Sequence, residues 1–359
     1  MYPLAVVGDN LTARAAITAC HKAGFHDISW HQASAPANQP EDQSDAEPKV
    51  PHEAVTLPAN ITRVISALDG GDALHELGHQ PDRAQVRMAS SGFLISELPL
   101  GEFSSDRYGA PHVNIEACHW AQLLPVKPHL QPAAPLAELE AACGAVVVCA
   151  AQMSSSSVHA THQLWHTCTP VEPDTSRANI TWLGKQQCAW QFSTVEQTHT
   201  IFCTRTDREL EAQDWHAGLS DTATQAQPTV SFNAYDSDVN EHWHSGSAAY
   251  LGPAAYTPNP FLREASALGV EDAWVLSRML ENYEEDVHDG LSEYEKYRRG
   301  RARRIARAAA LTATQQNSSH PLKRGLHHLN VALSTRFLPE IAMQRIDWFY
   351  SYDCIRGFR

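Results

Sequence analysis

Residues 4–31 constrain the fold more than any other stretch. Leu4-Ala5-Val6-Val7-Gly8 is a short, unbroken apolar run that ends in glycine. This is the pattern of a strand buried on both faces that turns at once. Leu11, Ala15 and Ala19 then recur at i, i+4 and i+8, and Gly24 stands where a helix C-cap glycine belongs. Asp27 to His31 predicts a second strand. A strand–helix–strand opening of this kind commits the chain to an α/β layer built on parallel strands.

The rest of the chain alternates. Residues 34–53 are polar and rich in proline with no periodicity, which predicts a loop. Residues 60–77 predict a helix ending at Gly78, residues 83–115 strands, and residues 118–125 a short helix. Ala145 to Ala150 is the clearest buried strand, and residues 179–206 alternate as hairpins. Helices are predicted over 264–285, 291–312 and 322–335. The expected fold class is α/β: a Rossmann-like, nucleotide-binding-type domain interleaved with a β-sheet substrate domain and a helical C-terminal region. The expected division is 1–80, 118–170 and 245–312 for the discontinuous first domain. Residues 81–117 and 171–244 form the substrate domain, and 313–359 the helical region.

Composition excludes several function classes. With 41 acidic against 27 basic residues, the formal net charge is −14, which argues against a nucleic-acid binder. No apolar run reaches membrane-span length. The opening residues lack the basic and long apolar regions of a signal peptide, so a cytoplasmic protein is expected. Eight cysteines occur without a Cys-x-x-Cys pair, which predicts reduced thiols and no structural zinc site. The basic run from Lys296 to Arg307 follows an acidic run from Glu281 to Asp289 and reads as the solvated face of an amphipathic helix.

Several segments, in order, carry a family pattern. They are Val55 to Ile65, Leu74 to Gly78, Trp182-Leu183-Gly184, Trp243 to Ser247 leading into Leu251 to Tyr256, Glu271-Asp272-Ala273 with Tyr294-Glu295 and Arg298-Arg299, and Trp348 to Asp353. Together they resemble the flavin-dependent aromatic hydroxylases, in particular the salicylate-hydroxylase-like group. The resemblance implies FAD as cofactor, NAD(P)H as reductant and a small aromatic substrate held between residues 179–206 and 252–265.

At the family's cofactor positions, Gly8, Gly252, Pro260 and Leu262 match. The first turn, a G-x-G-x-x-G in the family, reads Gly8-Asp9-Asn10-Leu11-Thr12-Ala13. His31 stands at the ribose-binding acidic position and Pro253 at the "G-D" aspartate. Cys149-Ala150-Ala151-Gln152 replaces "G-A-D-G", and Arg263 and Ala265 replace the two ring-contacting glycines. The expectation is a degenerate flavin site in a non-catalytic or repurposed homologue that binds a small aromatic molecule or a partner protein. The alternative is an active FAD/NAD(P)H-dependent monooxygenase with atypical cofactor contacts. No catalytic residue is assigned.

Other groupings read as structural. His159, His162 and His166 share a helical face at i, i+3 and i+7, a conceivable metal site, yet no ligand set is assigned. His242 and His244 read as a surface pair, Ser154 to Ser157 as a polar turn, and the C-terminal aromatics as core. No G-x-S-x-G elbow is present.

Overall fold

The computed structural model describes residues 1–33, 54–150, 160–171, 177–236, 239–317 and 339–358. The first layer begins with β1 (Leu4–Val7), α1 (Leu11–Lys22) and β2 (Ile28–His31), followed by β3 (Ala54–Leu57), α2 (Ala59–Ala67) and α3 (Gly71–Leu77). Then come β4 (Arg83–Met88), β5 (Leu94–Pro99), α4 (Gly101–Tyr108), β6 (Val113–Glu116), α5 (Trp120–Leu123), β7 (Leu130–Gln131), α6 (Leu136–Ala142) and β8 (Ala145–Val148). The middle of the chain supplies β9 (His162–Pro170), β10 (Ala178–Leu183), β11 (Gln187–Ser193), β12 (Gln197–Arg205), α7 (Ala217–Gln225) and β13 (Gln227–Phe232). The last part holds β14 (His244–Ser245), β15 (Ala248–Tyr250), α8 (Gly269–Asn282), α9 (Val287–Gln316) and α10 (Pro339–Tyr350).

Six strands form one sheet in the order β14-β15-β8-β1-β2-β7, and every pair in it except β14–β15 is parallel. Leu4, Ala5 and Val6 are all fully buried, because helices cover both faces of the sheet. Leu4 and Val6 pack with residues of α1, α2 and α8, while Ala5 packs with Leu139 of α6. This is the doubly wound arrangement that the opening pattern predicts. The three α1 positions at helical spacing, Leu11, Ala15 and Ala19, are all buried.

Seven strands form a second sheet in the order β13-β9-β12-β11-β10-β4-β5. Strand β9, which the sequence division placed with the first domain, pairs along its length with β12 in this sheet. Strand β6, placed with the substrate domain, pairs instead with β3. The predicted helix over 60–77 is two helices. Asp69 is left-handed at φ 67, and a Cβ on Gly70 would lie 2.8 Å from the carbonyl oxygen of Leu123. The chain therefore turns at glycine where α5 crosses close by. The loop expected over 34–53 and the helix expected over 322–335 lie outside the described residues. Among the described residues, no helix is long and apolar enough to cross a membrane.

Helices α1 and α8 cross at close range. Gly269 sits where a Cβ would come 2.1 Å from Thr12 Oγ1. Gly269→Ala is expected to destabilise the protein by about 1–3 kcal/mol through overpacking. Adding Thr12→Ala should recover part of that loss. Urea unfolding midpoints check both.

Candidate functional site

The candidate site starts where β1, β8 and β15 end. Gly8 adopts φ +126, and a Cβ there would lie 3.0 Å from the backbone nitrogen of Ala150. Glycine is required at this turn by both conformation and space. Gly8 is anchored further by its N–H to the His31 carbonyl at 2.9 Å and by its carbonyl, which accepts from Trp30 Nε1 at 2.7 Å.

Asn10 caps α1. Its backbone is extended, and its side-chain oxygen accepts from Ala13 N at 3.0 Å, a standard way to satisfy an orphan helix donor. Its amide nitrogen donates to the Cys149 carbonyl at 2.9 Å. Asn10 therefore ties the helix N-terminus to the end of β8. His31 is buried at the end of β2, with one ring nitrogen 3.1 Å from Ser29 Oγ and the other 3.4 Å from the Pro132 carbonyl.

Gly252 lies on the other side of the α1 N-terminus at φ +52, where a Cβ would lie 3.1 Å from Thr12 Oγ1. Asp272 fixes this loop by accepting from Gly252 N at 3.1 Å and from the Tyr256 hydroxyl at 2.9 Å. Gly8 and Gly252 are thus brought to the same helix end. Pro260 and Leu262 are not at that turn. They lie in a 3-10 segment, Pro260–Ala267, which packs against β3 and α9.

That segment also reaches the seven-stranded sheet. Phe261 is buried edge-on to Trp190, with ring centroids 5.4 Å apart. The guanidinium of Arg263 lies over the Phe192 ring, 4.0 Å from its centroid, a cation–π contact. Burial pushes the Arg263 pKa down to about 10, opposed by Glu264, so the group stays cationic at neutral pH. A cavity of about 160 Å³ opens here, lined by Thr56, Asn179, Trp190, Phe192, Phe261 and Arg263 among others. Gln191, Gln316 and Glu264 also line it, so the wall is largely polar and carries an acidic group beside Arg263. The space beside the Arg263 guanidinium is of the order of one aromatic ring, with Trp190, Phe192 and Phe261 as its aromatic walls.

The motifs that carry the family resemblance meet one another. Asn60 Nδ2 donates to Glu271 Oε1 at 2.6 Å. Arg298 pairs with Glu271 and Asp272, each at 2.7 Å, and Arg301 pairs with Glu271 at 2.8 Å. Arg301 also lies over the Tyr352 ring at 3.7 Å, and Arg63 donates to the Tyr352 carbonyl at 2.9 Å. Burial raises the Glu271 pKa, but Arg301 and Arg298 outweigh it and hold the carboxyl at about 2. The solvated basic face expected of α9 needs correction here: Arg298 is only 2% exposed, because two buried carboxylates on α8 face it.

The histidine groupings also rearrange. His162 and His166 lie on a strand, so helical spacing does not apply to them, and His159 lies outside the described residues. His166 instead meets Cys168 and His199, and the three donor atoms lie within 4.8 Å of one another. Sequence reading missed this cluster. Its signal was the alternation His166-x-Cys168 on a strand, but pairing it with His199 needs the register of β9 against β12. His244 is held by Glu295 at 3.1 Å, while His242 is exposed. The serine run 154–157, Ala151 and Gln152 lie outside the described residues. Among the C-terminal aromatics, Phe349 is buried as core.

A parallel, doubly wound sheet with an interleaved, mostly antiparallel seven-stranded sheet and a small two-stranded one defines the class, a flavoprotein-hydroxylase architecture. The structure of HpxO from Klebsiella pneumoniae complexed with FAD and uric acid matches with a TM-score of 0.75, at 14% identity over 97% of each chain. A salicylate hydroxylase substrate complex matches with a TM-score of 0.68, at 13% identity over 98% of this chain and 96% of that one. The fold is that of the FAD-dependent aromatic monooxygenases, the group the sequence resembles. In sequence, 3-amino-4-hydroxybenzoate 2-monooxygenase of Streptomyces platensis is 29% identical over 93 residues. That match spans 26% of this chain and about a quarter, 24%, of that protein. No family model matches the chain.

Proposed function

We propose that this protein is a homologue of the FAD-dependent aromatic monooxygenases in which its own side chains fill the flavin seat, and that it binds a small aromatic anion. Asn10 carries the reading. A flavin diphosphate needs free N–H groups and close backbone approach at a helix N-terminus. Asn10 uses its side chain to occupy Ala13 N and to reach the Cys149 carbonyl. His31 has both ring nitrogens engaged, and Pro253 supplies no side-chain acceptor. Arg263 stacks on Phe192 in the loop whose counterpart in the family contacts the flavin ring through glycine backbone. These residues do not fit the cofactor, so no chemical step is derived through it. The same reading keeps a Rossmann-like part and a substrate sheet, with β9 counted in the sheet.

Arg263 is the anchor for the ligand's charge, and Trp190 and Phe261 are its apolar walls. Benzoate is therefore expected to change tryptophan fluorescence. Arg263→Met should weaken its binding by about 10- to 100-fold, the worth of a hydrogen bond to a charged group. Unchanged affinity in a folded Arg263→Met variant would sink the assignment.

A second reading, an active FAD/NAD(P)H-dependent monooxygenase with atypical contacts, draws support from Gly8 and Gly252. Both keep left-handed backbone at the expected turn. HpxO, of similar fold, was crystallised with FAD. This reading expects a yellow protein and a rise in melting temperature with added FAD. The first reading expects neither.

A further inference from the structure

We propose that His166 Nε2, Cys168 Sγ and His199 Nδ1 form a binding site for one zinc ion. Strands β9 and β12 run antiparallel with Cys168 directly opposite His199. Residues two apart on a strand point to the same face, so His166 joins them on that side of the sheet. The three donor atoms form a nearly equilateral triangle. His166 Nε2 lies 3.1 Å from His199 Nδ1, and Cys168 Sγ lies 3.4 Å from the first and 3.3 Å from the second.

That triangle matches one face of a zinc tetrahedron. Zinc holds imidazole nitrogen at about 2.0–2.1 Å and thiolate sulfur at about 2.3 Å, which places two nitrogens about 3.4 Å apart and nitrogen and sulfur about 3.5 Å apart. Two histidines and one cysteine are a donor set suited to this ion, and the fourth position is left for water or a ligand.

The surroundings prepare the ligands. His199 is fully buried, and its Nε2 lies 2.8 Å from Glu116 Oε1. A proton shared on that side leaves the Nδ1 lone pair turned toward His166 and Cys168. A carboxylate behind a ligating histidine is the usual means of fixing its tautomer and raising its basicity. Glu116 is itself held, because Thr194 Oγ1 donates to the same oxygen at 2.8 Å. The Phe192 ring stacks on His199 at 5.3 Å between centroids, with an interplanar angle of 19°. His166 and Cys168 are only partly buried, which leaves a route for the ion. Binding exchanges the thiol proton of Cys168 for the metal and releases that proton to solvent, with no change in oxidation state.

The site is tested on the full chain without a histidine tag, dialysed against chelator and titrated with Co²⁺ as a coloured substitute for Zn²⁺. One equivalent should bind and give a thiolate-to-cobalt charge-transfer band, which zinc then abolishes. Cys168→Ser should remove the band, and Cys118→Ser, at an exposed thiol elsewhere, should leave it intact. Glu116→Gln, which keeps the hydrogen-bonding shape, should weaken zinc binding by about 10- to 100-fold. Failure of the parent protein to bind one equivalent overturns the proposal, whatever the variants do. So does binding without the thiolate band, or a band that survives Cys168→Ser.

Discussion

Arg298→Ala is expected to destabilise the protein by about 3–5 kcal/mol, because it leaves buried carboxylates without their partner. Glu271 and Asp272 are fully buried, and Arg298 contacts both. Arg301 still reaches Glu271 in the variant, so Asp272 bears most of the loss. Arg298→Lys should not restore stability, since one ammonium does not reproduce a guanidinium bridging two carboxylates. Chemical denaturation of parent and variants measures the effect, and a loss below about 1 kcal/mol would place the pair among weak surface bridges instead.

The same cluster makes a pH dependence. The Glu271 pKa falls from an ordinary 4.5 to about 2 on folding. Its folded value is depressed, so its contribution is present above pH 4.5 and is lost as pH falls toward 2. His112 acts in the same direction from higher pH. Burial pushes its pKa from 6.5 to about 3, so the unfolded chain takes up a proton that the folded one refuses. Stability should decline on acidification below pH 6.5, first through His112 and then through Glu271.

The second large effect concerns the flavin seat. The triple variant Asn10→Gly, Pro253→Asp, Arg263→Gly is expected to bind FAD on the order of 100-fold more tightly than the parent, about 2.7 kcal/mol. Asn10→Gly frees the α1 N-terminus, Pro253→Asp returns an acceptor, and Arg263→Gly clears the loop over Phe192. Quenching of FAD fluorescence reports the affinity, and circular dichroism reports that the variant is folded. A folded triple variant with no gain would mean that these three positions do not form a flavin seat.

Legibility in the sequence followed the range of the interactions. β1, α1, β2 and β8 are readable because a local period reports burial directly. The hairpins of β10 to β12 are readable for the same reason. Helix α4 was not, since Glu102, Ser104, Ser105 and Asp106 dilute its apolar period. Strand β9, rich in His, Gln and Thr, becomes a strand through pairing with β12, some thirty residues later. Arg298 looked solvated because its partners lie on another helix. The replaced residues at the cofactor turn were visible at once. That Asn10 spans to the Cys149 carbonyl, or that Arg263 stacks on Phe192, required the fold.

The bond from Arg63 to the Tyr352 carbonyl joins residues 289 positions apart, and this has a consequence for biosynthesis. At ~5–20 residues per second, about 15–60 s separate the emergence of these two residues from a ribosome. Asn60 waits for Glu271, 211 positions later, and Glu271 waits for Arg298. Until then the nascent chain carries polar and charged side chains destined for the interior with no partner to meet them. Strands β1 and β2 can pair early, but their layer needs β8 and β15 and can be sealed only after Tyr352 has been made.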